Sequence, residues 1–222
     1  MSGLKVQKVF IVDDHELVRQ GLRQLINGET DMHISGEAAN VYDALNMRST
    51  LTADIAVVDL SLPDGNGLDL IKQLHAWRPQ MGIIVLSMHN DELYAERAIN
   101  CGALGYINKQ DSAQKLLLGI RQVMKNKIFV KAEILEKIRK NPSRTITSKN
   151  AINIQILTDR ELQVFEAIGQ GITTKKIAQL LNVSVKTIES HRRHIKDKFH
   201  LSSGLELTRS AIIWSLEVIS AQ

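Results

Sequence analysis

Residues 54–67 read DIAVVDLSLPDGNG, and their reading decides the fold. From Ile55 to Leu60 the run is apolar except for Asp59, which is the pattern of a short strand buried on both faces. The turn Pro63-Asp64-Gly65-Asn66-Gly67 follows, and apolar residues then return at helical spacing as Leu68, Ile71 and Leu74. Strand, carboxylate, turn and helix make one unit of an α/β sheet.

The same unit recurs on either side. Val9–Val12 and Ile83–Leu86 are further apolar runs. Between and after them lie the helical patterns Leu17-Val18-Gly21-Leu22-Leu25-Ile26 and Leu116-Leu117-Ile120-Val123-Met124. The alternation predicts a parallel sheet with helices on both faces over residues 1–125. Its five strands fall near 7–12, 32–38, 54–59, 82–87 and 104–108, each followed by a helix. After Lys125 the pattern weakens. A short helix is expected at 131–140, and residues 141–153, NPSRTITSKNAIN, are polar and aperiodic, so 126–153 reads as a linker. From Leu157 onward there are only helical patterns, four in number, which predicts an all-α domain over 154–222.

Composition divides at the same place. Residues 1–125 hold twelve Lys and Arg against fifteen Asp and Glu, a net −3. The remainder holds sixteen against nine, a net +7, within an overall +4. A basic half behind an acidic one points to a nucleic-acid-binding module attached to something with another task. No stretch approaches eighteen apolar residues without charge, so no membrane span is expected. MSGLKVQKVF lacks the apolar segment and cleavage site of a signal peptide. A single cysteine, Cys101, excludes a disulfide framework and a cysteine-rich zinc site. The expected compartment is the cytoplasm.

In an open parallel sheet the site lies beyond the carboxyl ends of the strands. There the first strand offers Asp13 and Asp14, the third Asp59, the fourth Ser87, and the fifth runs through Tyr106 to Lys109. Three carboxylates crowded together repel unless a cation neutralises them, and hard oxygen ligands suit Mg²⁺. Such a rim supports phosphoryl transfer to a carboxylate, with Asp59 attacking phosphorus. Asp14, Asp59 and a backbone carbonyl near Ser61 would hold Mg²⁺, with Asp13 helping through water. Lys109 and Ser87 would meet the other phosphoryl oxygens. His15, beside the acids, is read as lining the first helix. His89, two residues after Ser87, is placed near the rim with an influence on dephosphorylation.

VFIVDDHELVRQGL, IAVVDLSLPDGNGLDLI, IIVLSMHND and GALGYINK resemble the receiver domain of bacterial response regulators, over about residues 5–125. The resemblance implies a flavodoxin-like fold of five parallel strands and five helices. It implies Asp59 as phosphoacceptor, Asp13 and Asp14 as the acidic pair, Ser87 as switch hydroxyl, Tyr106 as rotating aromatic and Lys109 as the site lysine. Many receivers carry proline after that lysine; here the residue is Gln110.

In the basic half, Thr158-Asp159-Arg160-Glu161 reads as a capping box opening a helix that Gly169-Gln170-Gly171 ends. Thr173 or Thr174 caps a second helix to Leu181, Asn182 suits a left-handed turn, and Ser184 caps a third helix to about Phe199. Two helices joined by so short a turn form a helix-turn-helix. Its buried stripe would include Ile177, Ala178, Leu181, Val183, Ile188 and Ile195. Off that stripe lie Lys186, Thr187, Glu189, Ser190, Arg192, Arg193, Lys196 and Lys198. These are the candidate DNA contacts, cations on phosphates, with Lys186, Glu189, Ser190 and Arg193 nearest the base edges.

The stretch from Leu157 to Leu201 closely resembles the LuxR-type helix-turn-helix of NarL/FixJ-like response regulators, including its LTxRE opening and T-I-x-x-H spacing. Many members have lysine where this chain has Glu189. A carboxylate repels phosphate but accepts from the cytosine amino group, so base readout is expected of Glu189. The last helix, Leu205 to Ile219, resembles the one that commonly mediates dimerisation. The expectation is a transcription regulator, not an enzyme. It would bind double-stranded promoter DNA, take its phosphoryl group from a histidine kinase, and form a homodimer when phosphorylated or DNA-bound. A phosphatase would need a second acid-base aspartate two residues after the nucleophile, where this chain has Ser61. A phosphate sink or protein-binding adaptor is the other rival, and binding to random duplex DNA separates it.

Overall fold

The computed structural model describes residues 6–89, 91–140 and 154–220, without side chains at 91, 92, 137–140, 155 and 217–220. The polar stretch 141–153 read as linker lies outside the described residues, as do residues 1–5. The chain forms two compact units, Met1–Pro142 and Ser143–Gln222.

The first unit is built on β1 (Gln7–Val12), β2 (Met32–Ala38), β3 (Ile55–Val58), β6 (Gly82–Ser87) and β7 (Gly105–Asn108). Two-residue strands β4 (Ser61–Leu62) and β5 (Gly65–Asn66) pair as a hairpin after β3. The large sheet is parallel in the order β2-β1-β3-β6-β7. The five strands are the expected ones. β3 and β6 are buried at every position because helices cover both faces, which is why their sequences are apolar runs rather than alternating ones. Helices α1 (Glu16–Asn27), α2 (Val41–Asn46), α3 (Gly67–Trp77), α4 (Asp91–Asn100) and α5 (Ala113–Val123) follow the strands. Leu22, Ile26, Leu116, Leu117, Ile120 and Val123 bring α1 and α5 onto one core cluster with Val9, Ile11, Ile55 and Ile84.

Register sets the site. Val12 pairs with Val58 and Val58 with Val85, so Asp13 and Asp59 leave neighbouring strands at the same level. Ser87 pairs with Asn108, which puts Lys109 one residue beyond. The return after β3 depends on Gly67, since a Cβ there would lie 2.5 Å from both the Asp59 carbonyl oxygen and Leu60 Cα. No larger residue fits that approach.

A sixth helix, α6 (Ala132–Lys140), falls in the stretch read as linker yet belongs to the first unit. The second unit contains α7 (Asp159–Gly169), α8 (Thr174–Leu180), α9 (Val185–Phe199) and α10 (Gly204–Ser220). The Thr158–Glu161 capping box is present, and Thr173 and Ser184 cap α8 and α9. Asn182 adopts φ 48°, the left-handed conformation that turns α8 into α9. Phe165 packs edge-on against Phe199, with ring centroids 5.3 Å apart, and tilted against Trp214. Ile177, Ala178, Ile188 and Ile195 are buried, while Leu181 and Val183 are half-buried. Among the described residues no helix is long and apolar enough to cross a membrane.

Candidate functional site

Parallel strands deliver Asp13, Asp59 and Lys109 to one point. The Asp59 N–H donates to the Val12 carbonyl and the Lys109 N–H to the Ser87 carbonyl, which fixes where each side chain leaves the backbone. The Lys109 ammonium then lies 2.7 Å from Asp13 Oδ2 and 2.6 Å from Asp59 Oδ2. Both carboxylates are buried. Asp59 Oδ1 accepts from the Ser61 N–H and Asp13 Oδ1 from the His15 N–H. Burial pushes the Asp59 carboxyl up, and the Lys109 ammonium pulls it back. Burial works against the Lys109 ammonium too, but Asp59 and Asp13 outweigh it and hold its pKa above the ordinary value.

One ammonium does not balance three carboxylates. Ligand atoms of Asp13, Asp14, His15 and Asp59 all lie within 4.8 Å of one another. The imidazole Nδ1 of His15 sits 2.8 Å from Asp14 Oδ1. A group carrying a net charge of about −2 and rich in hard oxygen donors fits a small divalent cation.

Ser87 and Tyr106 line the same end, and His89 joins them. Its N–H donates to Ser87 Oγ at 3.2 Å, its carbonyl accepts from the Tyr106 hydroxyl at 3.1 Å, and its Nε2 lies 3.0 Å from Ser61 Oγ. Its ring packs on Tyr94 of α4 with centroids 4.6 Å apart. Burial, helped by the Lys109 charge, lowers the His89 pKa to about 4, so the ring is neutral at pH 7. Sequence placed His89 near the rim but gave no sign of these bonds, which need the folded β6–α4 connection. Tyr106 is turned inward, 4% exposed. The His89 carbonyl gives its hydroxyl a partner inside.

On the second unit, α9 presents Lys186, Glu189 and Arg193 to solvent, with Ser190 and Lys196 partly exposed beside them. The Thr187 hydroxyl is 2.8 Å from Ser184 Oγ and shares the helix cap. Arg192 is four-fifths buried, its Nε 3.7 Å from the Glu189 carboxylate. Lys198 is placed otherwise than expected of a phosphate contact: its ammonium reaches Glu161 Oε2 at 2.6 Å and the Ile156 carbonyl at 3.1 Å. The buried Glu161 carboxylate draws it there. Lys175 and Lys176, exposed in the first turn of α8, add two cations that the α9 pattern does not point to. Adjacent lysines just behind the Thr173 cap were the available signal.

Residues 9–121 match the response regulator receiver domain, and residues 155–211 match the luxR family of bacterial regulatory proteins. The oxygen regulatory protein NreC of Staphylococcus aureus (strain bovine RF122 / ET3-1) is 34% identical over 209 residues, which cover 92% of this chain and 96% of NreC. RcsB from Salmonella enterica serovar Typhimurium, solved bound to promoter rprA in the presence of the phosphomimetic BeF3⁻, shares 25% identity. Its TM-score is 0.63, with coverage of 93% of this chain and 98% of that one. A structure of two RcsB dimers bound to two parallel DNAs is also 25% identical, with a TM-score of 0.57 over 95% of this chain and 99% of its own.

Proposed function

The chain belongs to the bacterial response regulators, a receiver domain followed by a luxR-family domain, and we propose that phosphoryl transfer to Asp59 switches its binding to DNA. It is a transcription regulator, not an enzyme. The observation that carries the proposal is the Lys109 ammonium held between Asp13 and Asp59 at the strand ends.

In the transfer, a carboxylate oxygen of Asp59 forms the new bond to phosphorus as the donor's own bond to phosphorus breaks, nitrogen–phosphorus in a phosphohistidine and oxygen–phosphorus in acetyl phosphate, and the leaving group departs in line. The Lys109 ammonium compensates charge on one phosphoryl oxygen. Asp13, Asp14, Asp59 and the Ser61 backbone carbonyl would hold Mg²⁺, which when bound neutralises charge on the transferring group. The Ser87 hydroxyl has one proton to donate and two lone pairs, so it can donate to a phosphoryl oxygen while still accepting from the His89 N–H. Moving Ser87 toward phosphorus therefore pulls on His89, and through it on the Tyr106 hydroxyl and the Tyr94 ring. The result is a shift between two populations of the β6–α4 region.

The natural donor would be a histidine kinase. Lys186, Glu189, Ser190 and Arg193 would reach base edges, while Arg192, Lys196, Lys175 and Lys176 would meet phosphates. Lys198 is kept for Glu161. Leu205, Ile212, Ile213 and Leu216 leave an apolar strip on α10 that suits a homodimer on DNA, and the DNA partner puts the chain in the cytoplasm. Intact-mass measurement after incubation with acetyl phosphate and Mg²⁺ tests the reading. One added phosphoryl group is expected on the wild type and none on Asp59→Ala. Equal labelling of the two overturns the assignment.

A further inference from the structure

The chain does not simply leave the first unit after α5. Asn126, at φ 55°, reverses it, with the Asn126 and Lys127 N–H groups donating back to the carbonyls of Val123 and Gln122. Phe129 then lies along the outer edge of β7 as a parallel bridge to Gly105. Its N–H donates to the Leu104 carbonyl at 2.8 Å, and its carbonyl accepts from the Tyr106 N–H at 2.9 Å. The Phe129 ring packs on the core over Gly119, where a Cβ would come within 2.9 Å of it. Three residues on, α6 begins and packs against α4, with Ile134 only 2% exposed. The edge strand and the α4 face are thus both covered by the segment that leads toward the second unit.

Tyr106 is the meeting point. Its backbone holds Phe129, and its hydroxyl holds the His89 carbonyl two residues before α4. We propose that residues 128–136 are a latch, an edge bridge at Phe129 plus the α6 contact at Ile134, and that its release from β7 and α4 is how the switch reaches the DNA-binding unit. The proposal rests on the reading of Asp59 as phosphoacceptor. The Phe129 half is seated on Tyr106 and the α6 half on α4, and the bond from the Tyr106 hydroxyl to the His89 carbonyl joins the two seats, so a displacement at His89 reaches both. Release moves the last described residue held by the first unit back from Lys140 to about Asn126. That lengthens the tether to the second unit and widens the positions it can reach.

Hydrogen exchange on the full chain reads the latch directly. After acetyl phosphate and Mg²⁺, with the added phosphoryl confirmed by intact mass, the amides of residues 128–136 should exchange about tenfold faster, while those within α5 stay as they were. Phosphorylated protein whose 128–136 amides exchange unchanged or more slowly overturns the latch. If no phosphoryl is added, the Asp59 reading fails, and a second arm still decides the latch. Ile134→Asp should speed exchange in α6 and, with no phosphodonor, tighten binding to a duplex selected by the protein from a random pool by about tenfold. Ile134→Val should behave as wild type, and Ile134→Ala, milder, should fall between. An Ile134→Asp chain with fast α6 exchange and basal DNA affinity overturns the proposal. Circular dichroism and retained phosphoryl uptake show that the receiver remains folded.

Discussion

Replacing Lys198 by methionine keeps the side chain's apolar stem and removes its ammonium, and the structure predicts a loss of stability rather than of DNA affinity. The ammonium sits 2.6 Å from a Glu161 carboxylate that is 4% exposed. Without it, Glu161 keeps the Thr158 N–H at 2.7 Å and a half-exposed His194 at 3.9 Å. Breaking one side of a buried pair costs about 3–5 kcal/mol. Lys198 is one-third exposed, so water can replace part of what is lost, and about 1–2 kcal/mol is expected. For a helical domain of this size that is a fall of roughly 5–15 °C in the midpoint of the second unit's thermal transition. Glu161→Gln combined with Lys198→Met should cost less than the two changes added together. Acid gives an independent check. Burial alone would raise the Glu161 pKa, but the Lys198 and Thr158 hydrogen bonds outweigh it and hold it below 4.5. A depressed carboxyl contributes stability above its unfolded pKa and loses it as pH falls through the folded value. The wild-type transition should therefore drop below about pH 4.5 more steeply than that of Glu161→Gln. In DNA titrations across salt, Lys196→Ala should lower the slope by about one unit and Lys198→Met should not. A Lys198→Met protein with unchanged midpoint and a slope reduced by one would refute the reasoning.

Glu189→Ala should relax preference at one operator position, by about 1–3 kcal/mol of discrimination, while leaving or raising affinity for non-specific duplex. Uniform loss for every sequence would instead make Glu189 a support for Arg192, 3.7 Å away. Gly67→Ala forces a Cβ onto the Asp59 and Leu60 backbone, so urea midpoints should show about 1–3 kcal/mol of destabilisation and phosphoryl uptake should slow; uptake at the wild-type rate would show that the β3–α3 return can relax.

The parallel sheet was legible because strands buried on both faces cannot alternate. Ile55–Val58 and Gly82–Ser87 announce themselves as apolar runs, and the observed ends fall within a residue of the expected ones. The convergence of Asp13, Asp59 and Lys109 was legible for a related reason: in a parallel sheet, position at a strand's end is also position in space. Caps were legible because Thr158, Thr173 and Ser184 act within three residues of themselves. What escaped depends on partners distant in the chain. Helical spacing puts Lys198 with the DNA-facing cations, and nothing on α9 reveals a carboxylate thirty-seven residues earlier. The Phe129 bridge is made by backbone groups of one residue, which leave no pattern in side chains.

The magnitudes of latch and switch are matched. Two backbone hydrogen bonds at Phe129, at about 0.5–1.5 kcal/mol each, and one buried isoleucine, at about 1.5–3 kcal/mol, hold residues 128–136 with roughly 3–6 kcal/mol before the entropy of ordering is subtracted. A phosphorylated Asp59 carries only about one more negative charge than the free carboxylate, and Lys109 with a bound cation would absorb most of that. Net charge is therefore a poor source of free energy for the switch. Hydrogen bonds from Ser87 and Lys109 to phosphoryl oxygens are charge-assisted and contribute about 1.5–3 kcal/mol each, so two of them approach the roughly 5.5 kcal/mol needed to invert a 1:99 equilibrium. A latch with several more contacts would stay shut, and one that loses Ile134 would close less often. Ile134, the one buried side chain among the described residues of α6, is what keeps the equilibrium within reach of one phosphoryl group.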